Sequence, residues 1–293
     1  MLVRRWLDAA GITDPVLRHC YTVCVRELDS ADGGTGRWHG LRSAPAAARP
    51  HAAALAAHGC RADRCVDTGP TEDRQRRFTR FVEATWAAFA TGGSPDPVLH
   101  ATVHTYQTYG LPLPVVEDMF TAMRRDLDFR DFATFDELRQ WCVQVVGGPM
   151  AVHYRVTGAA TEPAHELLVR EFSVFAQLTD VLRDLSEDLD DGRLYLPLED
   201  LDRFDVRAED IKAKRWTPAV ADLIAFETAR VTERLREAAG AEHGPVGPLC
   251  EYMALIIAAV LAAGPDVLHR PVQPPLGTLL NVWRPFMRAA IPC

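Results

Sequence analysis

The sequence predicts an all-α protein, and three observations carry that expectation. Apolar residues recur three and four positions apart along most of the chain, the spacing that gathers them on one side of a helix. Alternating β-branched runs, the mark of half-buried strands, are hard to find. Prolines stand at or beside the start of many periodic segments, where the missing N–H has no acceptor in the first helical turn anyway.

Taken in order, the predicted helices begin with Asp14–Leu28, which has Pro15 at its start, and the alanine-rich Pro50–Val66. Thr71–Ala90, Pro97–Gln107 and Pro114–Asp126 follow, the last two opening on proline. Thr134–Thr157 and Pro163–Leu189 are the longest, and Pro218–Ala239, Val246–Ala263 and Pro275–Arg288 complete the set. Two stretches read as loops: Asp29–Arg49, with Gly33, Gly34, Gly36 and Gly40, and Gly240–Pro248, with three glycines and two prolines. No repeat of solenoid period and no long linker divides the chain, so residues 1–293 are expected to form one helical domain around a central cavity, with 29–49 as a loop insertion.

Composition narrows the function classes. A net charge of −8, from 32 Lys+Arg against 40 Asp+Glu, argues against a nucleic-acid surface. Seven cysteines without a Cys-x-x-Cys pair argue against a disulfide framework and fit a reducing cytoplasm. The Met1-Leu-Val-Arg-Arg-Trp-Leu-Asp start lacks the apolar region of a secretory signal. The most apolar run, Met253 to Ala263, is shorter than the roughly 20 residues of a spanning helix, so a soluble protein with no transmembrane segment is expected, with loose membrane association still open.

The chemistry concentrates in Gln177-Leu-Thr-Asp180-Val-Leu-Arg183-Asp184-Leu-Ser-Glu187-Asp188, followed by Asp190, Asp191, Gly192, Arg193, Leu194, Tyr195, Leu196 and Pro197. On one continuous helix Asp180, Asp184 and Asp188 stack along a face, with neighbouring Cβ atoms about 6 Å apart. A solvated acidic face is the ordinary account of such a run. Here Phe172, Phe175, Ala176 and Leu182 share the segment, so part of it is expected to be buried, where unpaired carboxylates are costly. Magnesium relieves that cost, because it takes oxygen ligands and joins carboxylates to substrate phosphates. A second pair, Asp63-Arg-Cys-Val-Asp67, repeats the four-residue spacing. Together the two motifs are expected to grip a diphosphate through bridging magnesium, stabilise departing pyrophosphate and leave an allylic cation.

These residues resemble the squalene/phytoene synthase family. Its second signature reads Gln-Leu-x-Asn-x-x-Arg-Asp-x-x-Glu-Asp and then Gly-Arg-x-Tyr-Leu-Pro, which Gln177 to Pro197 follows almost throughout. Weaker similarity runs through Ala122-Met-Arg-Arg-Asp126-Leu, Phe135-Asp-Glu-Leu-Arg-Gln-Trp-Cys142, Gly147-Gly148, Tyr252 and Asp266-Val267. The resemblance implies the isoprenoid synthase-type helical bundle. It also implies that Asp63, Asp67, Asp184 and Asp188 hold magnesium (Mg2+), with Asp180, in the usual Asn place, as a further oxygen ligand. Arg183 and Arg193 would then organise the diphosphate, and Tyr195 would line the site.

The chain departs from the family's pattern around the first motif. The second acid of the usual adjacent pair is Arg64, and Ala56, Ala57, His58 and Gly59 replace aromatic residues. Phe226–Ala238 lacks the expected tyrosines. These losses favour an aromatic prenyltransferase of secondary metabolism, in which an allylic donor from dimethylallyl to geranylgeranyl diphosphate alkylates a carbazole- or indole-type ring. Head-to-head condensation of two farnesyl or geranylgeranyl diphosphates is the alternative. A non-catalytic assembly factor is a third reading, favoured by Arg64 and opposed by the four retained carboxylates. Of the other candidates, His100 and His104 with no third ligand, Cys20/Cys24 and Cys60/Cys65 read as packing and not as zinc sites. Tyr106, Tyr109, Trp141 and Tyr154 read as core.

Overall fold

The computed structural model describes residues 2–30, 41, 44–158, 163–240 and 247–274. Among them every regular element is helical. The helices are α1 (Leu2–Ala9), α2 (Pro15–Ser30), α3 (Arg49–Asp67), α4 (Thr71–Thr91), α5 (Pro97–Tyr109), α6 (Pro114–Leu127), α7 (Phe135–Cys142) and α8 (Gly148–Thr157). They continue as α9 (Pro163–Arg183), α10 (Leu185–Asp190), α11 (Leu198–Arg203), α12 (Ala208–Lys212), α13 (Pro218–Gly240) and α14 (Gly247–Ala263), closed by a 3-10 turn over Gly264–Leu268. The all-α expectation holds, and most proline-opened segments start within a residue of where the sequence puts them.

The described residues pack into two compact units, one from within 2–128 and 148–163, the other from within 129–147 and 164–274. In the first, α3 is the hub, packing against α1, α2, α4, α5, α6 and α8. Alanine makes this possible: Ala52, Ala53, Ala54 and Ala57 are fully buried, and their small side chains let neighbouring helices approach closely. Asp96 starts α5 by accepting from the N–H groups of Val98 (2.9 Å) and Leu99 (3.1 Å). In the second unit α13 packs on α14, and the 3-10 turn packs on α10 and α14.

The expected long helix Thr134–Thr157 is interrupted by a π turn over Val143–Gly147. Pro149 has no N–H to donate and its ring crowds the carbonyl four residues back, so the register widens there. Gly147 has a packing reason as well, since a Cβ at that position would stand 3.4 Å from the Arg170 carbonyl oxygen. The expected helix Pro163–Leu189 breaks at Asp184 (φ −100°, ψ 11°), so α9 and α10 are separate segments. The short helices α1, α11 and α12 escape the periodicity argument, because too few turns leave no readable period. The predicted helix Pro275–Arg288 and most of the loop 29–49 lie outside the described residues.

The apolar stretch at the end is longer than Met253–Ala263. Cys250–Leu268, 19 residues with mean hydropathy 1.6, is long and apolar enough to cross a membrane by length and composition, a test that core helices of soluble proteins also pass. Within it Ile256, Ile257 and Val260 are buried, while Leu261 is exposed.

Candidate functional site

The second acidic motif is organised by a kink and a turn. At Asp184 the helix bends, yet its N–H still donates to the Asp180 carbonyl (2.9 Å), and the Asp184 carbonyl accepts from Glu187 (2.9 Å) and Asp188 (3.0 Å). The three acids therefore stay one turn apart, on two segments and not on one straight face. α10 ends where Gly192 adopts φ +77°, a left-handed conformation that glycine reaches without a Cβ clash. That turn lets the Arg193 N–H donate to the Asp188 carbonyl (2.7 Å). It folds the chain back, so that the Arg193 guanidinium lies 3.1 Å from Asp191 and 3.8 Å from Asp188.

Arg183 is clasped by its own motif. It lies 2.7 Å from Asp180 and makes two bonds to Asp184, at 2.8 and 2.5 Å. Burial works against its charge, but the hydrogen bonds to Asp184 and the charges of Asp180 and Asp184 outweigh it, pushing the guanidinium pKa up. Lys214, at φ +55°, reaches Asp190 at 2.5 Å, adding a cation at the far end of α10. The Ser186 hydroxyl is buried in the first turn of α10 without a hydrogen-bond partner among the described residues.

Tyr195 is buried in an aromatic cage. Its ring centroid is 4.9 Å from Trp141, 5.0 Å from Phe129 and 6.0 Å from Phe132. The segment is tied down by Leu198 and Glu199, whose N–H groups donate to the carbonyls of Phe132 (2.8 Å) and Ala133 (3.1 Å). Elsewhere in this unit Arg230 joins Asp200 (2.9 Å) and Glu227 (2.7 Å) beneath the Phe135 ring. Burial pushes the Glu227 carboxyl up, against the pull of Arg230.

The first motif is built differently. Asp63 and Asp67 are both exposed, one turn apart at the end of α3. Arg64, between them in sequence, reaches Glu27 on α2 at 3.1 Å. Arg61 grips the same Glu27 (2.9 Å) and also Asp96 (2.6 Å). The cations of this motif are thus bound to acids on α2 and at the start of α5. Sequence reasoning missed Glu27, Arg61 and Asp96, because nothing in the local spacing links them.

The departures upstream have a structural account. His58 is buried against Phe81 (5.2 Å) and Phe120 (5.8 Å), with Nε2 3.3 Å from the Thr85 hydroxyl. It fills an aromatic nest, and burial with the nearby Arg61 charge pushes its pKa down to about 4. His104 turns into the packing: the Tyr21 hydroxyl lies 2.8 Å from His104 Nδ1, 2.9 Å from His51 Nδ1 and 3.0 Å from Thr105. His100 Nδ1 accepts from the Ser94 N–H at 3.1 Å. Among the described residues no three His, Cys, Asp or Glu side chains are gathered at metal-binding spacing. Cys20, Cys24, Cys60, Cys65, Cys142 and Cys250 are free thiols.

As donors, the candidate ligands fit magnesium by chemistry: all are carboxylate oxygens, the hard ligands this cation takes. Arg183 occupies both Asp180 and Asp184, so a cation entering there must displace a guanidinium.

A family profile described as squalene/phytoene synthase matches residues 36–277. The bifunctional protein CrtB/UppS of Streptomyces coelicolor is 28% identical over 206 residues, 70% of this chain and 36% of that protein. The 15-cis-phytoene synthase of a Synechocystis species is 31% identical over 198 residues, 61% of this chain and 56% of that one. The chain thus spans between about a third and somewhat over half of these relatives' own length. Among solved structures, a squalene synthase, HpnC, from Alicyclobacillus acidocaldarius superposes with TM-score 0.68 at 24% identity, covering 89% of this chain and 96% of its own. A dehydrosqualene synthase superposes with TM-score 0.71 at 18% identity, covering 93% and 97%. Both likenesses are of fold.

Proposed function

Because the chain belongs to the squalene/phytoene synthase family, we propose that it is a magnesium-dependent prenyltransferase that ionises an allylic prenyl diphosphate and transfers the prenyl group to a carbon nucleophile. The observation that carries this reading is the kink and turn that hold Arg183 and Arg193 against Asp180, Asp184, Asp188 and Asp191. Acids and guanidiniums packed together in this way form a matched set: the acids suit a hard cation, and the guanidiniums suit phosphate oxygens bidentately.

Asp63 and Asp67 of the first motif, and Asp184 and Asp188 of the second with Asp180 as a further oxygen donor, would hold magnesium, which would supply charge to the departing pyrophosphate. Arg183, displaced from Asp180 and Asp184, turns its fork to a phosphate oxygen. Arg193 stays anchored by Asp191 and adds a second positive charge. The C–O bond breaks with its electron pair on pyrophosphate, a ring carbon of the acceptor attacks the allylic cation, and pyrophosphate or a nearby polar group takes the ring proton. Arg64 is drawn to Glu27 on α2, which weakens the non-catalytic reading.

For the acceptor we favour an electron-rich aromatic ring of carbazole or indole type. The support is the uneven retention of the family's pattern, with the Gln177–Pro197 signature kept and the residues before Asp63 replaced. The names of the relatives favour the second reading, head-to-head condensation of two long prenyl diphosphates. A cytoplasmic site of action fits the free thiols. The test is product analysis by mass spectrometry with magnesium and dimethylallyl, geranyl, farnesyl or geranylgeranyl diphosphate, with and without a tricyclic indole or carbazole. A product heavier by one prenyl unit, formed only with acceptor, supports aromatic transfer. A C30 or C40 product from donor alone establishes the head-to-head reaction in its place.

A further inference from the structure

A cavity of about 570 Å³ opens between α1 and α2, in the first unit and lined by none of the residues of either acidic motif. Its floor is apolar, from Val3, Leu7 and Val25, of which Leu7 is 3% and Val25 1% exposed. Its rim is cationic, from Arg4, Arg18 and Arg26, and His19 and Thr22 complete the lining. Among the described residues no acidic side chain lines it, in a chain whose net charge is −8.

The rim holds one anchored arginine and two that are unpaired among the described residues. The Arg18 guanidinium lies 2.8 Å from Asp8 and donates to the Ile12 carbonyl at 2.7 Å, which fixes its position at the edge. Arg4 and Arg26 make no ion pair among the described residues. Positive groups left unneutralised around a concave, low-dielectric floor concentrate anions. Guanidinium forks match phosphate oxygens, while the apolar floor gains only from a ligand that carries hydrocarbon beside its charge.

We propose that this groove binds a phosphate group carried on a short apolar chain. The head sits among Arg4, Arg18 and Arg26, and the chain lies over Val3, Leu7 and Val25. The site is independent of the proposed catalytic chemistry, because it uses no magnesium and none of the acids assigned there. A soluble phosphate ester and a phospholipid headgroup both present this chemistry.

The test uses the full chain in chelator, so that no diphosphate site assembled on magnesium contributes. Octyl phosphate, inorganic phosphate and octanol are titrated by calorimetry, against the intact protein and against the Arg4→Gln/Arg26→Gln double variant. Both arginines are exposed, so the variant is expected to keep its helical circular dichroism. Octyl phosphate should bind at least about tenfold more tightly than either inorganic phosphate or octanol, and the double variant should lose at least about tenfold of that affinity. Cosedimentation with phosphatidylcholine vesicles, with and without phosphatidylglycerol, identifies the source. Capture by the anionic vesicles that is lost in the variant supports a headgroup, and octyl phosphate binding without capture supports a soluble ester. Absence of octyl phosphate binding, or equal affinity in the double variant, overturns the proposal.

Discussion

The two acidic motifs share a four-residue spacing and differ in where their cations go. At Asp180–Asp188 the motif's own arginines turn back on its acids, so Arg183 is held by Asp180 and Asp184, and Arg193 by Asp191 beside Asp188. At Asp63–Asp67 the arginines are drawn to Glu27 and Asp96, and the acids stand exposed at the end of α3. Equal spacing therefore does not mean equal electrostatic state. One motif turns its own guanidiniums onto its acids, and the other sends them to acids on α2 and at the start of α5.

The largest expected effect is shared by both motifs. Asp184→Asn and Asp63→Asn should each lower turnover by roughly a thousandfold or more, read by product formation, with helical circular dichroism retained. Full activity in both would remove the magnesium reading. Thermal melts should separate them: Asp184→Asn leaves half-buried Arg183 short of its main partner and costs about 1–2 kcal/mol, while Asp63→Asn stays within about 0.5 kcal/mol. Equal melting temperatures would erase the contrast between the motifs.

Next comes acid sensitivity, which sits in the first unit. His51 is held neutral by burial and by neighbouring His104, and His58 by burial and by Arg61, each with its pKa pushed down to about 4. The unfolded chain takes up those protons below about pH 6.5, whereas the folded one resists until about pH 4. Stability is thus fully present above about pH 6.5 and falls as the pH drops towards 4, by about 3 kcal/mol per histidine. Denaturant titrations of the protein and of His58→Phe across this range measure it. The variant should lose less stability, and parallel curves would refute the assignment.

A smaller effect probes Arg64. With its guanidinium on Glu27, Arg64→Ala should leave the half-maximal magnesium concentration within about twofold. Glu27→Gln, which releases Arg64 and leaves Arg61 with Asp96 alone, should raise that concentration severalfold and cost about 1–2 kcal/mol of stability. A large drop in the magnesium requirement of Arg64→Ala would mean that Arg64 competes with the metal after all. Smallest is Gly192→Ala, where a side chain at φ +77° costs about 1 kcal/mol and loosens the turn that carries Arg193. Its melting temperature and its KM for the diphosphate should shift together.

Much of the fold was legible because helices are coded locally. Proline at the first turn and apolar residues three and four apart put α3, α5, α6 and α13 within two residues of their observed ends. The breaks were less visible. Asp184 lies inside an unbroken helical period, and its bend keeps the hydrogen bond to Asp180, so no sequence signal marks it. Of the candidate residues, Asp180, Asp184, Asp188, Arg183 and Arg193 stand together in the structure because they are neighbours in the chain.

The sequence by itself determined the helical class, the family signature and the carboxylates available for chemistry, since each depends on residues a few positions apart. Only the tertiary structure decided the partners of those charges. Arg61 finds Glu27 and Asp96 at separations of 34 and 35 residues, and Arg64 finds Glu27 at 37. His58 is neutral because the helices packed around α3 bury it, not because of its neighbours in the chain. Charge pairing and burial depend on distances through space, and helical spacing alone does not encode them.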